Sequence, residues 1–406
     1  MTPRDTVAAF PATSQQSAIR ATPFVWIEPA NIPPRKWLYG HHLIRGYVSL
    51  TVAPGATGKS SLLIADALAM SANRNLVGTP VYAGRPLRVW IWNLEDPIDE
   101  LQRRITATAI QYQIHSTDIE GRLFVDSGRD QSLCIARQGH NGIEILDPVI
   151  DALQAEILAR EIDVLIVDPF VSSHQVSEND NGAIDAVAKK WGAIADRTGC
   201  AIELVHHLRK LPHGIEATAE SARGAVSLVA AARSVRVLNR MAKEEALQCG
   251  LTSNKGHFKV SDDKNNLAAA TDSENWFRME SVQLDNGDNV GVVVQWDKPD
   301  PFDGITPRHL LAVQKAIDGK DYRQNVQATD WVGQHIGHIV GLDPAKPHDK
   351  NRLKSLIKTW INNGALIADE IMNKKGRPTP VIAVGKWVTA AEVAATNVAD
   401  DEFPLG

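Results

Sequence analysis

Residues 53–60 read APGATGKS and lie between an apolar, strand-like run (47–53) and an amphipathic helical run (59–73). Few other short motifs restrict a fold so strongly. A strand must end and a helix must begin within a turn whose backbone amides converge on one point. Gly55 and Gly58 let the backbone come close to phosphate oxygens and aim successive N–H groups at them. The positive end of the following helix adds to the attraction. Lys59 would reach the outer phosphates of a nucleoside triphosphate, and the Ser60 hydroxyl would ligate Mg²⁺. Ala53, Pro54, Ala56 and Thr57 complete the loop, and Ser61 follows on the helix. Ala53 stands where the GxxxxGK[ST] pattern has Gly, a position that shapes the turn more than it touches ligand.

The rest of the chain fits this start. Strand-like runs at 88–95, 122–127, 163–169, 201–207 and 234–240 alternate with helical runs at 97–113, 148–160 and 181–198. Nearly continuous apolar strands separated by amphipathic helices predict a parallel sheet covered on both faces. After about residue 255, HFKV, WFRMESVQLD and VGVVVQWD alternate with period two around Asn/Asp/Gly turns. That pattern predicts antiparallel strands extending the sheet. A Pro/Asp/Gly break follows, then helical runs at 309–317, 331–340 and 349–363 and a turn-bearing segment carrying NKKGRP. The expected division is a disordered tail (1–22), an α/β core (23–300), a linker (301–308), a winged-helix-like α+β domain (309–390) and an acidic tail (391–406).

Three further strand ends carry candidate chemistry. DVLIVDP ends at Asp168, which beside the phosphate loop can hold Mg²⁺ through water; residue 169 is Pro, so no second acid follows it. RVWIWNLEDP brings Glu95 and Asp96 to the end of the strand after the loop's helix, where a carboxylate can orient and deprotonate an attacking water. Glu95 is preferred. AIELVHHLRK ends in His206 and His207; strand alternation points them opposite ways, so one faces the nucleotide, and His207 is preferred.

Taken in order, RKWLYG, APGATGKS, NLEDP, LIVDP, LVHHLRK and SARGAVSLVAAARSVRVL resemble the RecA-like P-loop ATPase family that includes the hexameric plasmid replicative helicase RepA. The resemblance covers residues 35–300. It implies ATP and Mg²⁺ as cofactors, Glu95 as catalytic base, Lys59 and Ser60 on nucleotide and metal, Asp168 as the metal-linked acid and His207 as a γ-phosphate sensor. It also implies a homo-oligomeric ring, a hexamer as in that family, with an arginine finger reaching a neighbour's site: Arg223, with Arg233 the second choice. Lys264, in SDDKNNL, is similar to a family lysine that approaches the neighbour's nucleotide; Asn266 stands where that signature has Arg. Two loops, 171–183 and 208–222, would face a central channel, and Arg209 and Lys210 on the second suit single-stranded DNA phosphates. The first loop is acidic and has no aromatic platform for stacking bases.

Charge distribution bears on the C-terminal part. Between residues 305 and 386, nine Lys and four Arg stand against six Asp and one Glu, a net +6; the total is −5, which leaves −11 elsewhere. Such a basic module is either a nucleic-acid contact or a solvated face. As a winged helix it would present Arg352, Lys354 and Lys358 on a recognition helix and Lys374, Lys375 and Arg377 at a hairpin tip, for DNA or for a protein partner. VADDEFPLG at 398–406 resembles the acidic–apolar tips through which single-strand-binding proteins recruit partners; a frayed terminus is the plainer reading. Cys134, Cys200 and Cys249 are widely spaced, as expected in a reducing cytoplasm and not for structural zinc. No long apolar run suggests a membrane span or a secretory signal. The sequence therefore predicts a cytoplasmic ATPase acting on DNA as a helicase or translocase of a plasmid, phage or integrated element. The alternative is an ATP-switched regulatory or loading protein that binds DNA or a partner without unwinding.

Overall fold

The computed structural model describes residues 20–140, 142–208, 215–221, 226–269, 274–372 and 376–394. Two compact units are present, Met1–Arg35 and Lys36–Gly406. In the first, the expected tail falls largely on residues 1–19, outside the described residues. Residues 20–35 lack regular structure apart from a 3-10 turn at Pro29–Asn31, and Phe24, Val25, Trp26 and Ile27 are all exposed.

The second unit opens with a small antiparallel ribbon, β1 (Trp37–Tyr39) and β2 (Leu43–Ile44). Next come β3 (Val48–Pro54), α1 (Lys59–Ala72), β4 (Val89–Asn93), α2 (Ile98–Tyr112), the short α3 (Ser116–Ile119) and β5 (Leu123–Ser127). A hairpin, β6 (Ala136–Gly139) and β7 (Gly142–Ile145), precedes α4 (Asp147–Ala159), β8 (Val164–Asp168), α5 (Asn181–Thr198) and β9 (Ala201–Leu208). Then follow α6 (Val226–Ala231), β10 (Ser234–Arg240), α7 (Lys243–Gln248), β11 (His257–Asn265), β12 (Glu274–Gln283) and β13 (Asn289–Gln295). The C-terminal part holds α8 (Pro307–Ile317), α9 (Val332–Val340), α10 (Pro347–Asn362) and the hairpin β14 (Leu366–Met372) and β15 (Pro378–Val384).

One nine-stranded sheet runs in the order β13-β12-β11-β10-β3-β9-β8-β4-β5. From β10 to β5 every pairing is parallel; β11, β12 and β13 add antiparallel strands at one side. The apolar continuity of the strands has a direct cause, because successive residues enter opposite layers. Leu165 and Val167 of β8 pack in the layer that holds Ile150, Leu153 and Ile157 of α4 and Val187, Trp191 and Ile194 of α5. Val164 and Ile166 enter the layer of Leu62, Leu68 and Met70 from α1. The antiparallel strands join that second layer: Phe258 stacks on Phe277 at 5.5 Å, and Val293 packs beside them. Val292 and Leu284 meet Ala107 of α2, so the extension borders the phosphate loop's side of the sheet.

Charged residues lie inside the strands as well, and each has partners. Arg236 of β10 donates to Asp66 Oδ2 on α1 at 2.7 Å and to Thr51 Oγ1 on β3 at 2.7 Å. Tyr39 donates to Asp66 Oδ1 at 2.8 Å, and Thr51 donates to Glu203 Oε1. Glu203 also meets His42 Nε2 at 2.8 Å. All of these side chains are buried. Burial would raise the Glu203 carboxyl pKa, but His42, Arg236 and Thr51 together hold it below its usual value. A buried ionic group keeps its charge only when paired in this way.

The C-terminal part has a core of its own, built from Val313, Trp331, Ile336, Leu353, Leu356, Trp360, Leu366 and Ile382. Buried Gln314 on α8 ties it together. Its amide donates to Ala365 O (3.0 Å) and Lys386 O (2.8 Å), and its oxygen accepts from Val388 N (3.0 Å). Three helices followed by a two-stranded hairpin is the order read from the sequence. No helix among the described residues is long and apolar enough to cross a membrane.

Candidate active site

The turn after β3 takes its shape from two left-handed residues, Ala56 (φ 55°) and Gly58 (φ 103°). Gly58 caps α1 and has no room for a side chain: a Cβ there would lie 2.9 Å from the Phe258 ring and 3.2 Å from Met279 Sδ. Thr57 Oγ1 donates to Pro54 O at 2.7 Å and closes the turn. From the end of β10, Arg240 donates to Gly55 O and to Ala56 O (2.9 Å), which satisfies two carbonyls of the loop. Ala53 is fully buried in the α1 layer. The loop borders a cleft of about 650 Å³.

At the mouth of the sheet, β3, β9 and β8 are neighbours, and their carboxyl ends bring four predicted residues together. Lys59 is 5% exposed, and its Nζ lies 3.0 Å from Asp168 Oδ1 and 2.9 Å from His207 Nε2. Ser60 Oγ donates to Asp168 Oδ2 at 2.8 Å. Burial first, then the Lys59 charge, lowers the His207 pKa, so its imidazole is neutral and can accept from the ammonium. His206 points the other way, as strand alternation requires. It is buried, its Nδ1 has no partner among the described residues, and burial pushes its pKa down to about 4. His174, after β8, is similar: its Nε2 has no partner among the described residues and its pKa falls to about 4 through burial.

The end of β4 separates the two neighbouring acids. Asn93 Oδ1 accepts from Glu95 N (3.0 Å) and Asp96 N (2.7 Å), forming a side-chain-stabilised turn, while Leu94 N donates to Asp168 O at 2.7 Å. Asp96 is ion-paired to Arg104 at 2.8 Å. The Glu95 carboxylate is exposed and forms no ion pair among the described residues; its negative charge acts on His207. An unpaired carboxylate beside the Lys59 cluster can take a proton from water, whereas Asp96 is neutralised by its arginine.

A hydroxyl and a single carboxylate oxygen 2.8 Å apart suit Mg²⁺, a hard cation that is usually held by few protein oxygens plus waters and substrate phosphates. Ser60 and Asp168 would hold it. Ser61 Oγ lies 3.4 Å from Gly291 O of β13, which brings the antiparallel extension to the cleft. Sequence reading missed the cleft's other wall: Glu100, Arg103 and Arg104 of α2, with Met279 and Asp288 opposite. Arg103 joins the two sides through Asp288 at 3.0 Å. Its only advance signal was a charged stripe on α2, which equally describes a solvated face.

Other predicted residues lie elsewhere. Arg233 precedes β10 and its N donates to Val48 O, at the sheet edge opposite the phosphate loop, about 20 Å away along β3. Lys264 is close to it, for the Arg233 charge helps lower the Lys264 pKa, though burial is the larger cause. Its ammonium caps α6 through Val229 O (2.8 Å), Ala230 O (3.1 Å) and Ala232 O (2.9 Å). Neither can touch nucleotide bound to its own chain. Arg352 is turned back on the linker, donating to Pro301 O (2.8 Å) and Asp303 O, so its guanidinium is committed within the chain. Lys354 and Lys358 are exposed on α10, and Arg377 precedes β15. Arg209, Lys210, Arg223, Lys374 and Lys375 lie outside the described residues.

Residues 13–213 match a family model described as AAA domain. The match spans the phosphate loop and the strands that carry Glu95, Asp168 and His207, and it stops before β10. Together with the mostly parallel sheet and the lysine–aspartate–serine cluster at its mouth, it supports placing this chain in an AAA/P-loop ATPase family.

Proposed function

We propose that the chain hydrolyses ATP as one subunit of a RecA-like, RepA-like ring acting on DNA, as a helicase or translocase of a plasmid, phage or integrated element. One observation carries the hydrolytic part: Lys59, Ser60, Asp168 and His207 meet at one point, with the unpaired Glu95 beside them. With nucleotide bound, Lys59 would leave Asp168 and His207 for the outer phosphates. Bound Mg²⁺ would neutralise phosphate charge, held by Ser60 directly and by Asp168 through water. Glu95 orients a water and accepts its proton as the γ-phosphate is attacked. Neutral His207 donates to that phosphate and loses a partner when it departs.

The two arginines that line the chain's own cleft, Arg103 and Arg104, are ion-paired to Asp288 and Asp96. Arg233 lies at the opposite sheet edge, which supports completion by a neighbouring subunit through Arg223 or Arg233. The three helices and hairpin at the C-terminus support a winged-helix reading with Lys354 and Lys358 toward DNA phosphates. The alternative, a nucleotide-controlled switch or loader, is favoured by the acidic loop 171–183, which offers no aromatic side chain for base stacking.

ATPase assays with and without single-stranded DNA, beside strand displacement on a forked duplex, separate these readings. Stimulation with unwinding is expected; stimulation alone would favour the switch, and neither would remove DNA from the proposal. Glu95→Gln should bind ATP and lose about 10²–10⁴ in turnover. Wild-type turnover in that variant would refute the base assignment.

A further inference from the structure

Along α10, Lys350, Lys354 and Lys358 recur every four residues and share one stripe of the helix. Lys354 and Lys358 rim a groove of about 360 Å³ whose floor is Val326, Trp331, Ile357 and Ile361. Lys350 Nζ lies over the Trp331 ring at 6.0 Å. None of the three lysines has an ion pair among the described residues. A cleft of this size and character takes one or two apolar side chains followed or preceded by negative charge.

One segment of the chain has that composition. Asp400, Asp401 and Glu402 are followed directly by Phe403, Pro404 and Leu405, all outside the described residues. We propose that residues 400–405 dock in this groove of their own chain, with Phe403 and Leu405 on the apolar floor and the three carboxylates against Lys350, Lys354 and Lys358. The path is short. Glu392 borders a cleft shared with Trp360 and Leu310, and Trp360 adjoins Ile361 on the same helix. Phe403 lies nine residue steps beyond Ala394, a stretch that spans up to about 30 Å when extended, against a helix about 10–12 Å thick. Docking neutralises the stripe, so an anionic ligand of α10 must displace the tail. A DNA role for those lysines is not required for the docking itself.

The test places a photo-reactive benzophenone side chain at position 403 of the full chain, without DNA, and maps the cross-links after irradiation. Cross-links should concentrate on Val326, Trp331, Ile357 and Ile361. They should fall at least five-fold in Lys354→Glu/Lys358→Glu, and also in the unmutated chain at about 1 M salt, where screening acts within about 3 Å. Scattered cross-links, or a yield indifferent to both changes, would overturn the proposal. So would cross-links that join isotopically light to heavy chains in a mixed sample, which would put the tail on a second copy. Salt acts without mutation and keeps the test decisive should the double variant fold poorly.

Discussion

His174 and His206 make stability depend on pH in a window that no carboxylate shares. Both are buried, and burial lowers each pKa to about 4 against an unfolded value of about 6.5. A depressed histidine pKa means that the unfolded chain takes up the proton first. Its contribution is therefore complete above about pH 6.5 and is lost as pH falls toward 4. At pH 5 each site should have cost about 2 kcal/mol, and the two together about 4, a large share of a typical 5–15 kcal/mol. His207, lowered in the same direction, adds to the trend. Asp163 and Glu203 have depressed pKa values too, but their contributions fall away only below the ordinary carboxylate range of about 4. Urea unfolding at pH 7.5, 6 and 5, followed by far-ultraviolet circular dichroism, isolates the histidines. The wild-type chain should lose about 4 kcal/mol or more over this range, and His174→Gln/His206→Gln should keep only the smaller slope that His207 contributes. A wild-type midpoint that does not move, or a double variant with the wild-type pH slope, would refute the assignment.

Arg236→Met should remove about 3–5 kcal/mol of stability by leaving Asp66 charged and buried without its cation; the double variant Arg236→Met/Asp66→Leu should recover part of that in the same urea assay. Gly58→Ala should abolish nucleotide binding measured by calorimetry, because the left-handed turn and the Phe258 ring both reject a Cβ. Binding at wild-type affinity would show that the loop can open at no cost.

How much was legible before the fold was known differs from element to element. The strand of Asp168 could be read because both of its faces are buried, which makes its sequence continuously apolar. The antiparallel strands showed through period two, and the three C-terminal helices through their amphipathic spacing. Boundaries moved by a residue or two where caps decide them: the run expected from 349 begins at Pro347. The β6–β7 hairpin went unread because its four-residue strands are too short for a period to emerge.

The phosphate loop was determined by sequence alone, since its glycines, lysine and serine act through local backbone geometry. Asp168, His207 and Glu95 could be proposed at strand ends, but their convergence depends on the order β3-β9-β8-β4, which no local pattern encodes. Tertiary structure separated Glu95 from Asp96, because Arg104 on the next helix neutralises only the second. It also committed Lys264 to the end of α6 and Arg352 to the linker carbonyls, two cations that a linear reading left available. The Arg236–Asp66 pair, with Glu203 beside it, could not be foreseen at all. A charged residue in a strand reads as exposed until a partner far away in the chain is brought within hydrogen-bonding distance, and only the folded sheet does that.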